Sequence, residues 1–193
     1  MVSELKIKIL PADADLVAVI NTVNAITREL FGEPEPVPWL DIINELPRHA
    51  ERVYSRRASL ADIRQIVIHH VGVDAVVPPE NTAAYHVRKG WAGIGYHFYI
   101  RTDGTAYQTQ ALETVSYHCG GACNTHSVGI CLEGSFMEGR VPTDAQLAAT
   151  RAVVAWLLEY LDLPASAVKG HREVRATSCP GTTWPKWRGE VVN

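Results

Sequence analysis

The chain has 193 residues, of which 47% are hydrophobic and 20% charged. This composition suits one globular domain and excludes a disordered, collagen-like or coiled-coil protein. Eighteen Lys and Arg residues against 21 Asp and Glu residues give a formal net charge of -3. Since the charges form no basic block, we expect no nucleic-acid partner. The apolar stretches are too short for a membrane-spanning helix, so we also expect no membrane insertion.

Residues 1–56 are predicted to form a mostly helical extension of unknown role, followed by a second domain over residues 57–193. Apolar residues recur at helical spacing over residues 13–31. The proline-rich segment 33–38 cannot continue this helix, and the apolar residues between Trp39 and Leu46 suggest a second, short helix. The N terminus lacks the continuous apolar core of a secretory signal, so we expect synthesis in the cytoplasm.

After the extension, β-branched runs alternate with amphipathic segments, a pattern that indicates an α/β fold. Thr143 and Gln146 form a capping box ahead of the longest amphipathic segment, which ends near Asp162. The predicted strands cover residues 63–71, 96–101, 105–109 and 127–133, and the predicted helices cover residues 80–90 and 143–162.

Imidazole and thiol side chains occur where they could form a metal site. His171 and Cys179 lie in one loop near the C terminus, and His69 and His70 end the first long strand. Both residue types bind zinc when deprotonated. Neighbouring strand residues point to opposite faces, so only one of the paired histidines can reach a metal. Three protein ligands with one open position are typical of a catalytic zinc ion, because a structural zinc ion usually takes four.

Several further segments occur in a specific order along the chain. They are Ile66–His70, Gly93–Phe98, Asp103–Gly104, Asn124–Ile130, Leu132–Gly134, Gly170–Arg172 and Ser178–Gly181. Together they resemble the type 2 zinc-dependent N-acetylmuramoyl-L-alanine amidases, a family that includes phage lysozyme-like amidases and peptidoglycan recognition proteins. The resemblance covers about residues 60–190 and implies a central mixed β-sheet flanked by helices. It also implies a groove for glycan and stem peptide with one catalytic Zn²⁺ at its floor.

The resemblance assigns roles to individual residues. By position, His69 would be a zinc ligand, together with His171 and Cys179. Tyr96 matches the catalytic tyrosine of the family, whose hydroxyl would orient the attacking water or stabilise the tetrahedral oxyanion. Thr177 matches a second catalytic position, from which a hydroxyl can donate a hydrogen bond to the oxyanion. The reaction implied is hydrolysis of the amide between N-acetylmuramic acid and L-alanine in peptidoglycan.

The resemblance also implies a substrate-binding set and leaves the proton donor open. His97, His118 and Asn124 occupy motif positions that line the groove of relatives, where they would hydrogen-bond sugar or peptide. Some relatives carry a Glu general base where this chain has Cys131. Glu133 lies on the same strand face and could replace that base, although a structural role is the favoured interpretation.

Cys119 and Cys123 are close in sequence and flank two glycines. Free thiols are the favoured interpretation, because the chain lacks an export signal and the cytosol keeps thiols reduced. A disulfide or an additional metal site stays open as an alternative.

The prediction from the sequence is therefore a monomeric zinc amidase, of the type of a phage or prophage endolysin, that acts on the cell wall after release. A noncatalytic peptidoglycan-binding protein of the same fold is the first alternative, although such relatives typically lack the Cys ligand. A cysteine hydrolase with Cys179 as nucleophile and His171 as base is the second alternative.

Overall fold

The computed structural model describes residues 37–192, and the compact unit that contains them begins at Val37. The helix predicted over residues 13–31 lies outside the described residues. The strands are β1 (Leu40–Asp41), β2 (Gln65–His70), β3 (Phe98–Ile100), β4 (Ala106–Gln108), β5 (Ser127–Leu132) and β6 (Val168–Gly170). The α-helices are α1 (Pro79–Arg88), α2 (Gly121–Thr125), α3 (Asp144–Tyr160), α4 (His171–Val174) and α5 (Trp184–Val192).

The strands form one six-stranded mixed sheet in the order β1-β4-β3-β5-β2-β6. The β3–β4 pair, which is the predicted strand-turn-strand segment, is antiparallel, and the other neighbouring pairs are parallel. The predicted α/β architecture with a central mixed sheet flanked by helices is therefore confirmed. Because β2, β5 and β6 are parallel, their carboxyl ends lie at one edge of the sheet, which is where α/β proteins place ligands.

The two faces of the sheet have different coverings. On one face, β2 residues Ile66 and Ile68 belong to a buried apolar cluster with residues of α3 and α5, which include Leu157 and Trp184. On the other face, a smaller buried cluster joins Ala83 of α1 to residues of β3 and β5. Since side chains alternate along a strand, His69 points to the second, more thinly covered face. The His69 side chain, near the end of β2, is therefore available to a site on that face.

The capping box predicted for α3 is present. The Thr143 hydroxyl accepts a hydrogen bond from the Gln146 amide at 3.1 Å, and the Gln146 side chain accepts one from the Thr143 amide at 3.2 Å. Among the described helices, none is long and apolar enough to span a membrane.

The prediction of a second helix near residue 40 is wrong. Residues 37–56 contain β1 and turns, and no helix. β1 pairs with β4 at the edge of the sheet, with Leu40 opposite Tyr107, and Trp39 packs edge-on against Phe98 and Trp156. Strand pairing and burial of the indole outweigh the weak helical periodicity of so short a segment. The compact unit therefore includes residues that were assigned to the N-terminal extension.

Candidate metal centre and active site

Two neighbouring parallel strands bring His69 and His171 together. Ile68 of β2 is paired with Gly170 of β6, so the residues that follow them lie side by side at the carboxyl edge of the sheet. The ring centroids of His69 and His171 are 4.5 Å apart. The close approach therefore follows from strand register and not from a flexible loop.

Glu173 and Trp184 fix the turn that carries His171. The Glu173 carboxylate accepts hydrogen bonds from the Gly170 amide at 2.6 Å and from the Trp184 indole at 2.8 Å. A Cβ at Gly170 would come within 2.7 Å of the Trp184 indole nitrogen, so glycine is the residue that lets the strand end pack on α5. These contacts fix the backbone from which the His171 side chain projects.

Cys179 completes a group of three metal-binding side chains. The nearest ligand atoms of His69, His171 and Cys179 all lie within 4.8 Å of one another. The Cys179 sulfur is 3.6 Å from Nδ1 of His69 and accepts a hydrogen bond from the His70 amide at 3.5 Å. The structure thus brings the three predicted ligands together and leaves the His70 side chain on the other face, where its Nδ1 accepts a bond from the Phe136 amide.

The donor set fits a zinc ion on two observations. Nε2 of His171 is buried and has no hydrogen-bond partner within the part of the chain that the structure describes, an arrangement that costs free energy unless a cation accepts its lone pair. Two imidazoles and one thiol are also the nitrogen and sulfur ligands that zinc prefers, with a fourth position left for water or substrate.

Burial favours the neutral form of all three groups. Burial lowers the pKa of His69 and of His171, so both imidazoles are neutral near pH 7 and can donate a lone pair. Burial raises the pKa of the Cys179 thiol to about 12 when no cation is near. The thiolate therefore needs a cation to form, which suits a metal ligand and disfavours the alternative of a thiol nucleophile.

Tyr96 lies beside the group, just before β3. Its ring centroid is 5.2 Å from that of His69. Burial, followed by the nearby Cys131 and Cys179 thiols, holds the pKa of the Tyr96 phenol well above its usual value. The phenol therefore stays protonated and can act as a hydrogen-bond donor.

Thr177 lies at the exposed rim of the same site. Its hydroxyl oxygen accepts a hydrogen bond from the Cys179 amide at 3.2 Å. The hydroxyl proton is therefore available to another acceptor, and the turn keeps the hydroxyl close to the ligand loop.

A cavity of about 440 Å³ opens next to Tyr96. Helix α1 lines one wall with side chains that share one helix face, and the loop after β2 lines the other wall with valines. The lining residues are Asn81, Thr82, Tyr85 and His86 from the helix and Val71, Val73 and Val77 from the loop. These helix residues were not predicted from the sequence, although their spacing along a predicted helix beside the metal-site strand was a usable signal.

His97 and Asn124, predicted to bind substrate, have structural partners instead. His97 is fully buried; its ring bonds the Thr114 carbonyl at 3.0 Å and accepts from the Gly129 amide at 3.0 Å. The Asn124 carbonyl oxygen accepts three backbone bonds, from His118, Cys119 and Gly120. Both ring nitrogens of His97 and the side-chain oxygen of Asn124 are therefore committed to the protein itself. Both motif positions organise the backbone around the site.

His118 is buried against His69 and does not line the cavity next to Tyr96. It is 8% exposed, and its Nδ1 is 3.0 Å from Nε2 of His69. Its other ring nitrogen is 3.2 Å from the Ser127 hydroxyl. In this structure the His118 ring therefore contacts a candidate metal ligand.

Glu133 has the structural role that the sequence analysis favoured. It is fully buried, and its carboxylate accepts hydrogen bonds from the Val77 amide at 2.7 Å and from the amide and hydroxyl of Thr102. These bonds hold the loop after β2, which forms a wall of the cavity. The carboxylate is thus committed to two loops and does not replace the Glu base of other relatives.

The prediction of free thiols at Cys119 and Cys123 is wrong, because the two residues form a disulfide with an S–S distance of 2.01 Å. Gly120 and Gly121 both have positive φ, which folds the chain back between the cysteines and brings their Cα atoms to 5.7 Å. The free-thiol prediction rested on the expected cytoplasmic setting, which carries no information about this backbone geometry.

Buried histidines predict a loss of stability in acid. Burial lowers the pKa of His86 to about 4 from the value of 6.5 expected in the unfolded chain. The unfolded state therefore binds the proton first, so the stabilising contribution is complete above pH 6.5 and decreases as the pH falls towards 4. We expect the unfolding free energy of the metal-free protein to drop by roughly 3 kcal/mol from this group over that range, measured by urea denaturation.

A matched variant isolates this contribution. Nδ1 of His86 accepts a bond from the Gly95 amide at 3.1 Å, and the side-chain oxygen of His86→Asn can accept the same bond without titrating. The variant should lose stability less steeply between pH 6.5 and 4. If the wild-type protein and the variant lost stability equally steeply over this range, His86 would have the same pKa in the folded and unfolded states.

Comparison with known proteins is consistent with this geometry. The family model described as N-acetylmuramoyl-L-alanine amidase matches residues 59–182. The chain belongs to this family. The resemblance inferred from the motifs is therefore confirmed.

Individual relatives come from two groups. Peptidoglycan recognition protein 1 of Bos indicus is 33% identical over 143 residues, which cover 65% of this chain and 74% of the relative. The endolysin of Escherichia phage T7 is 29% identical over 133 residues, which cover 63% of this chain and 86% of the relative. Among solved structures, the endolysin amidase LysCS of Clostridium intestinale has 30% identity and a TM-score of 0.61, covering 76% of this chain and 96% of that one.

Proposed function

We propose that the protein is a zinc-dependent N-acetylmuramoyl-L-alanine amidase that hydrolyses the bond between N-acetylmuramic acid and L-alanine in bacterial peptidoglycan. The observation that carries the proposal is the group of His69, His171 and Cys179, whose ligand atoms lie within 4.8 Å of one another beside Tyr96. When bound there, one zinc ion would supply Lewis acidity and lower the pKa of water to about 7.

The residues around the group have complementary tasks. The neutral imidazoles of His69 and His171 offer lone pairs, and the His70 amide stabilises the Cys179 thiolate by a hydrogen bond. The protonated Tyr96 phenol donates to the oxygen on which negative charge develops during attack on the amide. The Thr177 hydroxyl is a second donor at the rim of the site. Together these groups bind the reacting amide and stabilise its charged state.

The substrate class rests on the relatives and on the cavity. Relatives include recognition proteins for peptidoglycan, and a Drosophila PGRP-LB variant with 25% identity and a TM-score of 0.59, covering 75% of this chain and 88% of that one, was solved in complex with tracheal cytotoxin. The cavity next to Tyr96 combines valines with Asn81, Thr82 and Tyr85, which suits a peptide with apolar and amide groups.

We further propose the biological setting that the sequence analysis favoured. The protein acts as a monomer, is synthesised in the cytoplasm and reaches the wall after release, as an endolysin of a phage or prophage. Its relatives among phage endolysins support this setting.

One experiment tests the proposed reaction. Purified peptidoglycan is incubated with the protein as isolated, after removal of metal by a chelator, and after zinc is restored. We expect new L-alanine amino groups that disappear on chelation and return with zinc. Sedimentation with the wall but no amine release, even with zinc supplied, would establish a noncatalytic binding protein instead. Release that is indifferent to chelation would contradict the zinc mechanism and favour the thiol.

A further inference from the structure

A chain of buried hydrogen bonds leads from a backbone carbonyl to His69. The Ser127 hydroxyl bonds the Cys123 carbonyl at 2.5 Å and Nε2 of His118 at 3.2 Å. Nδ1 of His118 is then 3.0 Å from Nε2 of His69. The exposed fractions of Ser127, His118 and His69 are 0%, 8% and 1%, so water does not compete for these bonds.

The carbonyl at one end fixes the direction of every bond in the chain. A carbonyl oxygen only accepts, so the Ser127 hydroxyl donates to Cys123 and its oxygen is left to accept from Nε2–H of His118. A neutral imidazole protonated at Nε2 accepts at Nδ1, so His118 accepts from Nε2–H of His69. His69 is then left with its lone pair on Nδ1, the atom that lies 3.6 Å from the Cys179 sulfur.

We propose that His118 and Ser127 are positioning residues that select the tautomer in which His69 presents Nδ1 to the metal. This inference rests on the proposed zinc site and adds residues that do not touch the metal. Metal-bound histidines commonly donate their second N–H to an acceptor, which fixes the tautomer and the ring orientation. Here the acceptor is another histidine, and its own tautomer is fixed by a hydroxyl and a carbonyl.

The loop between Cys119 and Cys123 holds the Ser127 end of this series of hydrogen bonds. The two disulfide sulfurs lie 3.4 and 3.7 Å from the Ser127 hydroxyl, and the Asn124 side chain bonds the amides of His118, Cys119 and Gly120. The disulfide therefore belongs to the support of the metal site.

The sheet leaves space for the imidazole of His118, which lies between Ser127 and His69. A Cβ on Gly129 would come within 2.7 Å of the His118 ring, so a residue with a side chain at this position of β5 would displace it. The ring can lie against the strand only because residue 129 is glycine.

Two substitutions of His118 separate its two contacts. In His118→Asn the amide replaces Nδ1 and can still accept from His69. In His118→Gln the amide replaces Nε2 and keeps only the contact with Ser127. We expect His118→Gln to weaken zinc binding by about 10- to 100-fold, and His118→Asn to retain most of the affinity. The zinc dissociation constant is measured by competition with a chromogenic chelator, after thermal unfolding has shown that both variants fold.

A spectroscopic readout tests the tautomers directly. Long-range ¹H–¹⁵N NMR of the zinc-loaded protein should show His69 and His118 both protonated at Nε2. Ser127→Ala should shift His118 from this single tautomer to a mixture and weaken zinc binding about 10-fold. Ser116→Ala is the matched control, because Ser116 is a fully buried serine that bonds His97 at 3.2 Å, outside this chain of bonds.

The outcomes separate this inference from the proposed function. Wild-type protein that binds no zinc would overturn both. Zinc binding in wild-type protein with equal affinity in His118→Gln, Ser127→Ala and Ser116→Ala would overturn the positioning role and leave the zinc site standing. A disulfide-free double variant, Cys119→Ala with Cys123→Ala, should also bind zinc about 10-fold more weakly. Unchanged affinity in that variant would remove the disulfide from the support.

Discussion

Replacement of Cys179 by Ala is expected to abolish zinc binding and amidase activity together. The substitution removes the one ligand that becomes negatively charged on binding and leaves two neutral imidazoles to hold a divalent cation. Loss of groups that merely orient ligands costs 10- to 100-fold in affinity, so loss of the ligand itself should exceed about 100-fold. Chelator competition measures the affinity, and release of amino groups from peptidoglycan measures the activity.

The neighbouring serine provides the control for this variant. Ser178 lies in the same exposed loop, and its backbone carbonyl accepts a bond from the Gly181 amide, which Ser178→Ala preserves. Ser178→Ala should therefore bind zinc and release amino groups like the wild-type protein. If Cys179→Ala retained zinc within a few-fold of wild-type affinity, the ligand assignment would be wrong. Continued sedimentation of Cys179→Ala with peptidoglycan would show that the groove is intact.

Tyr96→Phe should reduce kcat about 100- to 1,000-fold with little effect on zinc affinity or KM. The phenol is protonated because burial raises its pKa, and its ring lies 5.2 Å from that of His69. Removal of one donor to a developing oxyanion typically has an effect of this size, because the bond strengthens as charge forms. Steady-state amine release from soluble muropeptide separates kcat from KM.

A tyrosine on the other side of the sheet controls for the Tyr-to-Phe change. Tyr160 ends α3 and stacks on Trp156, away from the cavity, so Tyr160→Phe should retain full activity. Equal loss of kcat and zinc affinity in Tyr96→Phe would assign Tyr96 to the architecture of the site and not to the reaction. Full activity in Tyr96→Phe would remove it from the proposed mechanism.

Sequence patterns recovered the parts of the fold that depend on local signals. The β-branched run before His69 predicted a buried strand, and Thr143 with Gln146 marked the start of α3, because a capping box satisfies the same amides wherever it occurs. The segment around Trp39 was misjudged, since its conformation depends on pairing with β4 and on aromatic contacts with distant residues. No short segment encodes such contacts.

The site, like the fold, was predicted only in part from the sequence. By itself the sequence determined the α/β class and the family, and it predicted His69, His171, Cys179 and Tyr96 as residues of the active site. The tertiary structure alone decided that His97 and Asn124 serve the backbone and that His118 contacts His69. It also decided that Cys119 and Cys123 are joined. The reason is physical: residue type indicates what a side chain can do, whereas burial and the identity of its hydrogen-bond partners decide whether it faces metal, substrate or backbone.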